Sequence, residues 1–538
     1  MKLIRNANIF TMDPENEHAE AMAIENGIIR DVGTDEDIKK YMTADAEVID
    51  MKGRTILPGF NDSHVHFFKG GQASLNVDLS GARSHADVIR ISKAFMEKNS
   101  APEGEWLIGR GWDENYLLEK EPPLRAVLDQ ISTSRPIVFS RSCEHAIATN
   151  SKAIELAGIH KGTPQPDGGE WCKRPDGSPN GLFKDMARDL IFDLIEEPDK
   201  DEIKKTLQAS VRIALENGIT SVQTDDFWSI SSKDYKKMIE AYTELEKEGE
   251  LKVRVYEQCV LETPEALESF IKDGFKTGHG SAFFKIGPFK TFVDGGIGVR
   301  SAYLYAPYSD DGSTSGSLTF PEETLEKMMT FAAENGMQLT AHAIGDKASE
   351  VCLDAFKKAR QNEGDKRPSI IHAHLLTPEL LQRYPADDVI MIGDSIALVD
   401  DMPMFNGRLG AERERYGYNF RTFLDNGGKL ALATDWPVSP ISPFKNLYTA
   451  TTRKNYEGFP EGGWIPEEKI TLKEALYAYT RGSAYCSREE DQKGTLAPGK
   501  LADFIVVSED IFKIKPEELL TVKVLETYVG GTLCFVYS

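Results

Sequence analysis

The stretch GFNDSHVHF, residues 59–67, follows the apolar run TILP (55–58) and sets His64 and His66 two residues apart. In an extended chain, side chains two residues apart point the same way, so both imidazoles can meet one ion. Alone, such a pair is more often incidental than functional. Its place at the end of an expected strand raises its weight, because barrel active sites are assembled at the C-terminal edges of the strands.

Beyond Pro58 the pattern changes to short apolar runs alternating with helical stretches. The runs are WLIG (106–109), PIVFS (136–140), GITSVQ (218–223), KVRVYE (252–257), FKIGPFKTFV (284–293), MQLTAHAI (337–344), SIIHAHLL (369–376), DVIMIG (388–393) and KLALATD (429–435). Strand followed by helix, repeated about eight times, predicts an α/β fold with a parallel (β/α)8 TIM barrel over residues 58–489. The segment from about 67 to 200 is too long for one βα unit and rich in Gly and Pro, as in HKGTPQPDGGEWCKRPDGSPNG. It reads as an insertion over the barrel mouth. Residues 1–57 and 490–538 are β-like at both chain ends, with a hairpin signal at Asn26-Gly27, and are expected to pair into one β-sandwich domain.

Charge narrows the partners. The 538 residues include 63 Lys and Arg against 86 Asp and Glu, a net charge of −23. Such a surface repels phosphate backbones and anionic lipid, which argues against nucleic acid and membrane partners and for a small-molecule substrate. Six cysteines with no CxxC pair read as reduced thiols of a cytoplasmic protein. The N-terminal residues show no secretory pattern, and nowhere do the roughly 18 apolar residues of a membrane span run together. A homodimer is the default expectation for a soluble enzyme.

Four further candidates lie where expected strands end: Lys290 in GPFKTFVDGG, His342 in LTAHAIGDKA, His372 in IIHAHLL and Asp435 in LALATDWPV. Each has a bland alternative: a histidine satisfied by a carbonyl, a snorkelling lysine, an aspartate capping a helix. Six candidates all at strand ends favour convergence on one site. Imidazole and carboxylate are donors for zinc and similar divalent ions, and an open coordination position lets a water ionise near neutral pH. A lysine ammonium is no ligand. A buried lysine becomes one only as a carbamate formed with carbon dioxide.

These motifs resemble the amidohydrolase superfamily, first in AEAMAIENGIIRDVG followed by TILPGFNDSHVHF. GWDEN, HAIATNSKAIELAGI, TPQPDGGEW, FKTFVDGGIGVRSAYLYAPYSDDG, AHAIGDKA, LATDWPVSP and GTLAPGKLADFIVV resemble its YtcJ-like branch, which includes N-substituted formamide deformylase. The resemblance covers nearly the whole chain. It implies a distorted TIM barrel with a β-sandwich built from both chain ends. It further implies one or two divalent ions, zinc by expectation, held by His64, His66, Lys290 as a bridging carbamate, His342, His372 and Asp435, with Asp435 also moving the proton.

The chain departs from the branch where the usual Glu-His-Ala-Gln reads Ile371-His372-Ala373-His374, and where MIGDSIALVDD replaces a Gln-Pro-x-His segment. His374 could contact substrate, support the ligands from behind, or ligate in place of the favoured His372. His145 in SCEHAIATNS, Arg300 and Trp112 in GRGWDEN are further candidates for substrate contact, with packing or plain exposure as their alternatives. The expected reaction is metal-dependent hydrolysis of a C–N bond, an amide of N-acyl or N-formyl type, with catalysis by Asp435. A deaminase or cyclic-amide hydrolase on the same fold and a catalytically silent binding protein are the rival readings.

Overall fold

A computed structural model describes residues 1–99, 104–142, 145–359 and 367–538. The chain forms two compact units, one of Met1–Phe68 with Ser210–Ser538 and one of Lys69–Ala209.

The first unit contains eight parallel strands: β1 (Phe60–Val65), β2 (Ile219–Thr224), β3 (Arg254–Val260), β4 (Phe284–Phe292), β5 (Leu339–Ala343), β6 (Ser369–His372), β7 (Ile390–Gly393) and β8 (Lys429–Leu432). Each pairs with its sequence neighbour from β1 through β8, giving the expected near-closed barrel. Several strands are buried along their whole length, as in β1, β2, β3, β6 and β7, which explains their continuous apolar runs. Three barrel helices start with a Ser or Thr cap followed by Pro: Thr263 before Pro264–Lys272, Thr377 before Pro378–Ala386, and Ser442 before Pro443–Thr452. The hydroxyl satisfies a free amide, and the fixed φ of proline suits the first helical position.

Both chain ends contribute to the remaining sheets of this unit. A four-stranded sheet contains Ala21–Glu25 and Ile28–Gly33, whose connecting Asn26 and Gly27 have φ of 52° and 79°, the left-handed pair that a tight hairpin requires. A six-stranded sheet joins Thr55–Pro58 to Phe504–Val507. Ile4, Ile24, Ile56, Val506 and Tyr528 belong to their shared core, and the Phe504 and Tyr528 rings stack at 4.3 Å. Arg254 of β3 ties this β region to the barrel through a bidentate pair with Asp503, at 2.7 and 3.1 Å.

The second unit holds its own six-stranded sheet. WLIG and PIVFS, which look like barrel runs in the sequence, form Leu107–Trp112 and Ile137–Arg141 in this sheet. Its extent, 69–209, is slightly longer than the expected insertion. Cys172, Cys259, Cys352, Cys486 and Cys534 are free thiols, and Cys143 lies outside the described residues. Among the described residues no helix is long and apolar enough to cross a membrane.

Candidate metal centre

The site is built at the C-terminal strand ends. β1 carries His64 with His66 just beyond it, β4 carries Lys290, β5 carries His342 and β6 ends on His372. Asp435 follows β8 by three residues, at a φ of 58°. His372 itself has a φ of 76° and Ala373 of 51°, so the SIIHAHLL strand stops at His372 and the chain turns before His374.

Three of the four rings are held from behind. His64 Nδ1 lies 2.8 Å from Gln258 Oε1, and the Gln258 amide donates to the Ser63 carbonyl at 2.9 Å. The amide orientation makes Nδ1 the protonated nitrogen and leaves Nε2 as a donor for an ion. That Nε2 faces Lys290 Nζ at 3.2 Å and Asp435 Oδ1 at 3.4 Å. His66 Nδ1 lies 2.5 Å from Asp225 Oδ1, and its Nε2 is 3.1 Å from Asp435 Oδ1. The second Asp225 oxygen accepts from the Lys290 ammonium at 2.5 Å. His372 Nδ1 meets Asp394 Oδ2 at 3.0 Å. The His342 ring lies 4.6 Å from that of His372, centroid to centroid, with Nδ1 3.4 Å from Asp294 Oδ1 but not aligned for a hydrogen bond.

Donor atoms converge in three overlapping groups: His64 with His66 and Asp225, His64 with His372 and Asp435, and His372 with His374 and Asp394. Within each group they lie within 4.8 Å of one another. The second group combines first-strand, sixth-strand and post-β8 residues, and all three are buried. This convergence is compatible with a divalent metal ion.

Burial, reinforced by the Lys290 charge, presses the His64 pKa well below its usual range, and burial also lowers that of His342. Burial alone would raise Asp435, but His66 beside it and the other surrounding histidines bring it down to about 2. For His66 burial opposes the charge, yet Asp225 and Asp435 push it up to about 9. Asp225 and Asp394, despite burial, are held far below the ordinary carboxylate range by the His66–Lys290 and His374–His372 pairs beside them.

The weaker candidates fare differently. Both His374 nitrogens are committed, Nε2 to Asp394 at 2.9 Å and Nδ1 to Tyr418 Oη at 3.0 Å and Asp401 at 3.2 Å, which places it behind Asp394. Trp112 is buried in the core of the second unit with its indole N–H on the Phe139 carbonyl, which leaves no polar atom for a ligand. Arg300 spends its guanidinium on Asp310 at 3.0 and 2.9 Å. His145, in the second unit, is exposed and pairs with Asp185 at 3.2 Å.

Sequence reasoning missed Gln258 and the three aspartates Asp225, Asp294 and Asp394. The signal was present for the aspartates: each lies one or two residues past the end of β2, β4 or β7, the same strand-edge placement that singled out the candidate ligands. Two aromatic rings also escaped notice. Trp228 and Phe292 pack edge to face at 5.2 Å, with Trp228 6.1 Å from the His66 ring and Phe292 5.5 Å from that of His342.

Comparison with known proteins agrees with this geometry. The amidohydrolase family pattern matches residues 47–535. The chain belongs to the amidohydrolase family. Among its relatives in that family is the putative amidohydrolase YtcJ of Bacillus subtilis, 32% identical over 98% of each chain. The N-substituted formamide deformylase of Arthrobacter pascens is 27% identical over 99% of this chain and 97% of its own. A solved structure of an uncharacterized metal-dependent hydrolase from Pyrococcus horikoshii matches with a TM-score of 0.79 and 28% identity, over 96% of this chain and 99% of that one. This amidohydrolase is accordingly a hydrolase acting on carbon–nitrogen bonds.

Proposed function

We propose that the protein is a zinc-dependent hydrolase of the cytoplasm that cleaves the amide bond of a small N-acyl or N-formyl amine. The observation that carries this reading is the convergence of His64, His372 and Asp435 donor atoms, with His66 and His342 beside them. The family relative that acts on N-substituted formamides supports the bond type.

The residues fit an ion. Nδ1 of His342 and Oδ1 of Asp435 are buried without a hydrogen-bond partner, and an unpaired buried polar atom is costly unless something else satisfies it. A divalent ion held by His64, His66, His342, His372 and Asp435 would supply Lewis acidity, polarising the substrate carbonyl and lowering the pKa of water. Lys290 would join as a carbamate, formed when its neutral amine adds to carbon dioxide and releases a proton. As an ammonium it stands 3.2 Å from His64 Nε2 and competes with any cation there.

The chain's own groups supply the proton transfer. With its pKa near 2, Asp435 is a carboxylate at neutral pH. It accepts the proton of the attacking water and returns it to the departing nitrogen, without which an amine is a poor leaving group. Asp225 and Asp394 hold the His66 and His372 rings in orientation. Trp228 beside His66 and Phe292 beside His342 form an apolar wall that lowers the local dielectric.

A panel of N-formyl and N-acyl amines, assayed with metal content measured on the same protein, tests the reading. Release of one amine and one carboxylate per turnover is expected. Ammonia release or ring opening instead would reassign the reaction to a deaminase or cyclic-amide hydrolase. Far less than one metal per chain, with no turnover, would favour a silent binding protein.

A further inference from the structure

At the end of the barrel away from the metal centre, where β8 begins at Lys429, a cavity of about 570 Å³ opens among Leu424, Lys429, Leu430, Tyr477, Arg481 and Tyr485. That volume falls in the range of small-molecule sites. Its charged groups differ in how they are satisfied. Lys429 donates to Asp388 at 2.7 Å and to Tyr485 Oη at 2.6 Å, and Lys473 to Glu17 at 2.6 Å. The two glutamates of the wall are also engaged, Glu474 by Arg421 at 2.8 Å and Glu490 by Arg367 at 2.6 Å. Arg481 is the exception. Half-buried, it makes no ion pair or hydrogen bond among the described residues, and its guanidinium lies 5.7 Å from the Tyr477 ring centroid.

Arg481 sits in a π-turn, Ala478–Gly482, between the helices Leu472–Tyr477 and Ser483–Cys486. Such turns sacrifice regular helical bonding and recur at functional sites. This one is pinned from the barrel side. Tyr479 Oη donates to Asp62 at 2.8 Å, Ser483 Oγ to the Ala478 carbonyl at 2.8 Å, and Ser63 Oγ to Ser483 Oγ at 2.6 Å. A Cβ on Gly482 would stand 2.4 Å from the Leu430 carbonyl, so the turn packs directly on β8. The position of the Arg481 backbone is therefore fixed before any ligand arrives, which lowers the entropic cost of binding.

The unpaired planar fork of an arginine matches a carboxylate in bidentate geometry. Arg367 at 4.1 Å and Lys429 at 4.6 Å already lie over the Tyr485 ring, so it is Tyr477 with the two leucines that matches a flat apolar body. The net charge of −23 gives a bare anion no long-range attraction, so the apolar part must contribute to affinity. We propose that this cavity binds an aromatic carboxylate, with the carboxylate on Arg481 and the ring against Tyr477 and the leucines.

Calorimetric titration of the metal-loaded enzyme with naphthoate tests this, with naphthylmethanol as the neutral counterpart. Saturable naphthoate binding is expected, weakened about tenfold or more in Arg481→Gln and in Tyr477→Ala, and about as weak for the alcohol on wild type. Hydrolytic activity of both variants is expected to match wild type, because neither residue belongs to the metal centre. No binding up to about 1 mM naphthoate overturns the proposal. So does equal affinity of wild type and Arg481→Gln, which would assign the bound carboxylate to the metal centre.

Discussion

The backbone N–H of Asp435 donates to the carbonyl of His64 at 2.9 Å, so the two ends of the barrel sheet meet at two candidate metal ligands. The sheet order runs from β1 to β8 and stops there. Closure comes from the segments beyond: His66 N–H to the Trp436 carbonyl at 2.7 Å, and the Thr434 amide and hydroxyl to the Asp62 carboxylate at 2.9 and 2.7 Å. These bonds also explain how Asp435 keeps a left-handed φ, which costs a residue with a Cβ on the order of 1 kcal/mol or more.

Asp62 is therefore expected to hold Asp435 in register. Buried, it accepts from Thr434 twice and from Tyr479 Oη at 2.8 Å. Asp62→Ala strands those donors and should destabilise the first unit by about 3 kcal/mol or more, whereas Tyr479→Phe removes one bond and should cost about 1–2 kcal/mol. Urea titration followed by circular dichroism measures both. A Tyr479→Phe protein indistinguishable from wild type would show that Asp62 does not depend on this donor.

Asp435→Asn keeps the shape and removes the base. Turnover is expected to fall by about a thousandfold, within the range for loss of general acid–base catalysis. Metal content, measured on the same preparation, separates loss of the proton acceptor from loss of the ion. Near wild-type turnover with full metal would exclude Asp435 as the proton carrier.

Asp394 supports His372 at 3.0 Å and is itself braced by His374 at 2.9 Å. Carboxylates behind a ligating histidine set its orientation and basicity, and losing one typically costs 10–100-fold in metal affinity. Asp394→Ala is expected to show a loss of about that size in competition with a chromophoric chelator. His374→Gln acts one bond further away, and its loss should be smaller. Equal effects would mean that His374 touches the ion directly.

The barrel was legible because β2, β3, β6 and β7 are buried on both faces and so appear as unbroken apolar runs. The candidate ligands were legible because histidine and aspartate are conspicuous at strand ends. What escaped has physical reasons. WLIG and PIVFS are as apolar as barrel strands because the inserted unit has its own core around Trp112 and Phe139, and periodicity does not say which core a strand joins. The role of His374 stayed open among substrate contact, support from behind and ligation because the positive φ of His372 and Ala373, beside which its ring meets Asp394, leaves no mark in composition. Asp225 was missed because nothing in the sequence shows that the end of β2 stands behind His66.

At the N-terminal end of the barrel, Glu489 joins Lys285 of β4 at 2.5 Å and Lys493 at 2.6 Å, and Lys493 reaches Ser221 of β2 at 3.0 Å. Burial alone would raise the Glu489 pKa, but the two ammonium groups bring it down to about 2 from an ordinary 4.5. A carboxyl whose pKa is lower in the folded state binds fewer protons there. Its stabilising contribution is complete above about pH 4.5 and fades as the pH falls toward about 2, amounting to roughly 1–3 kcal/mol. Burial pushes Lys493 down despite the same glutamate, so the net gain from the cluster is smaller than the Glu489 shift alone suggests. Glu489→Gln is expected to lower Tm most at about pH 6 and to approach the wild-type Tm as the pH is taken down to about 3. A Tm difference that stays constant across that range would show that packing, not charge, is what Glu489 contributes.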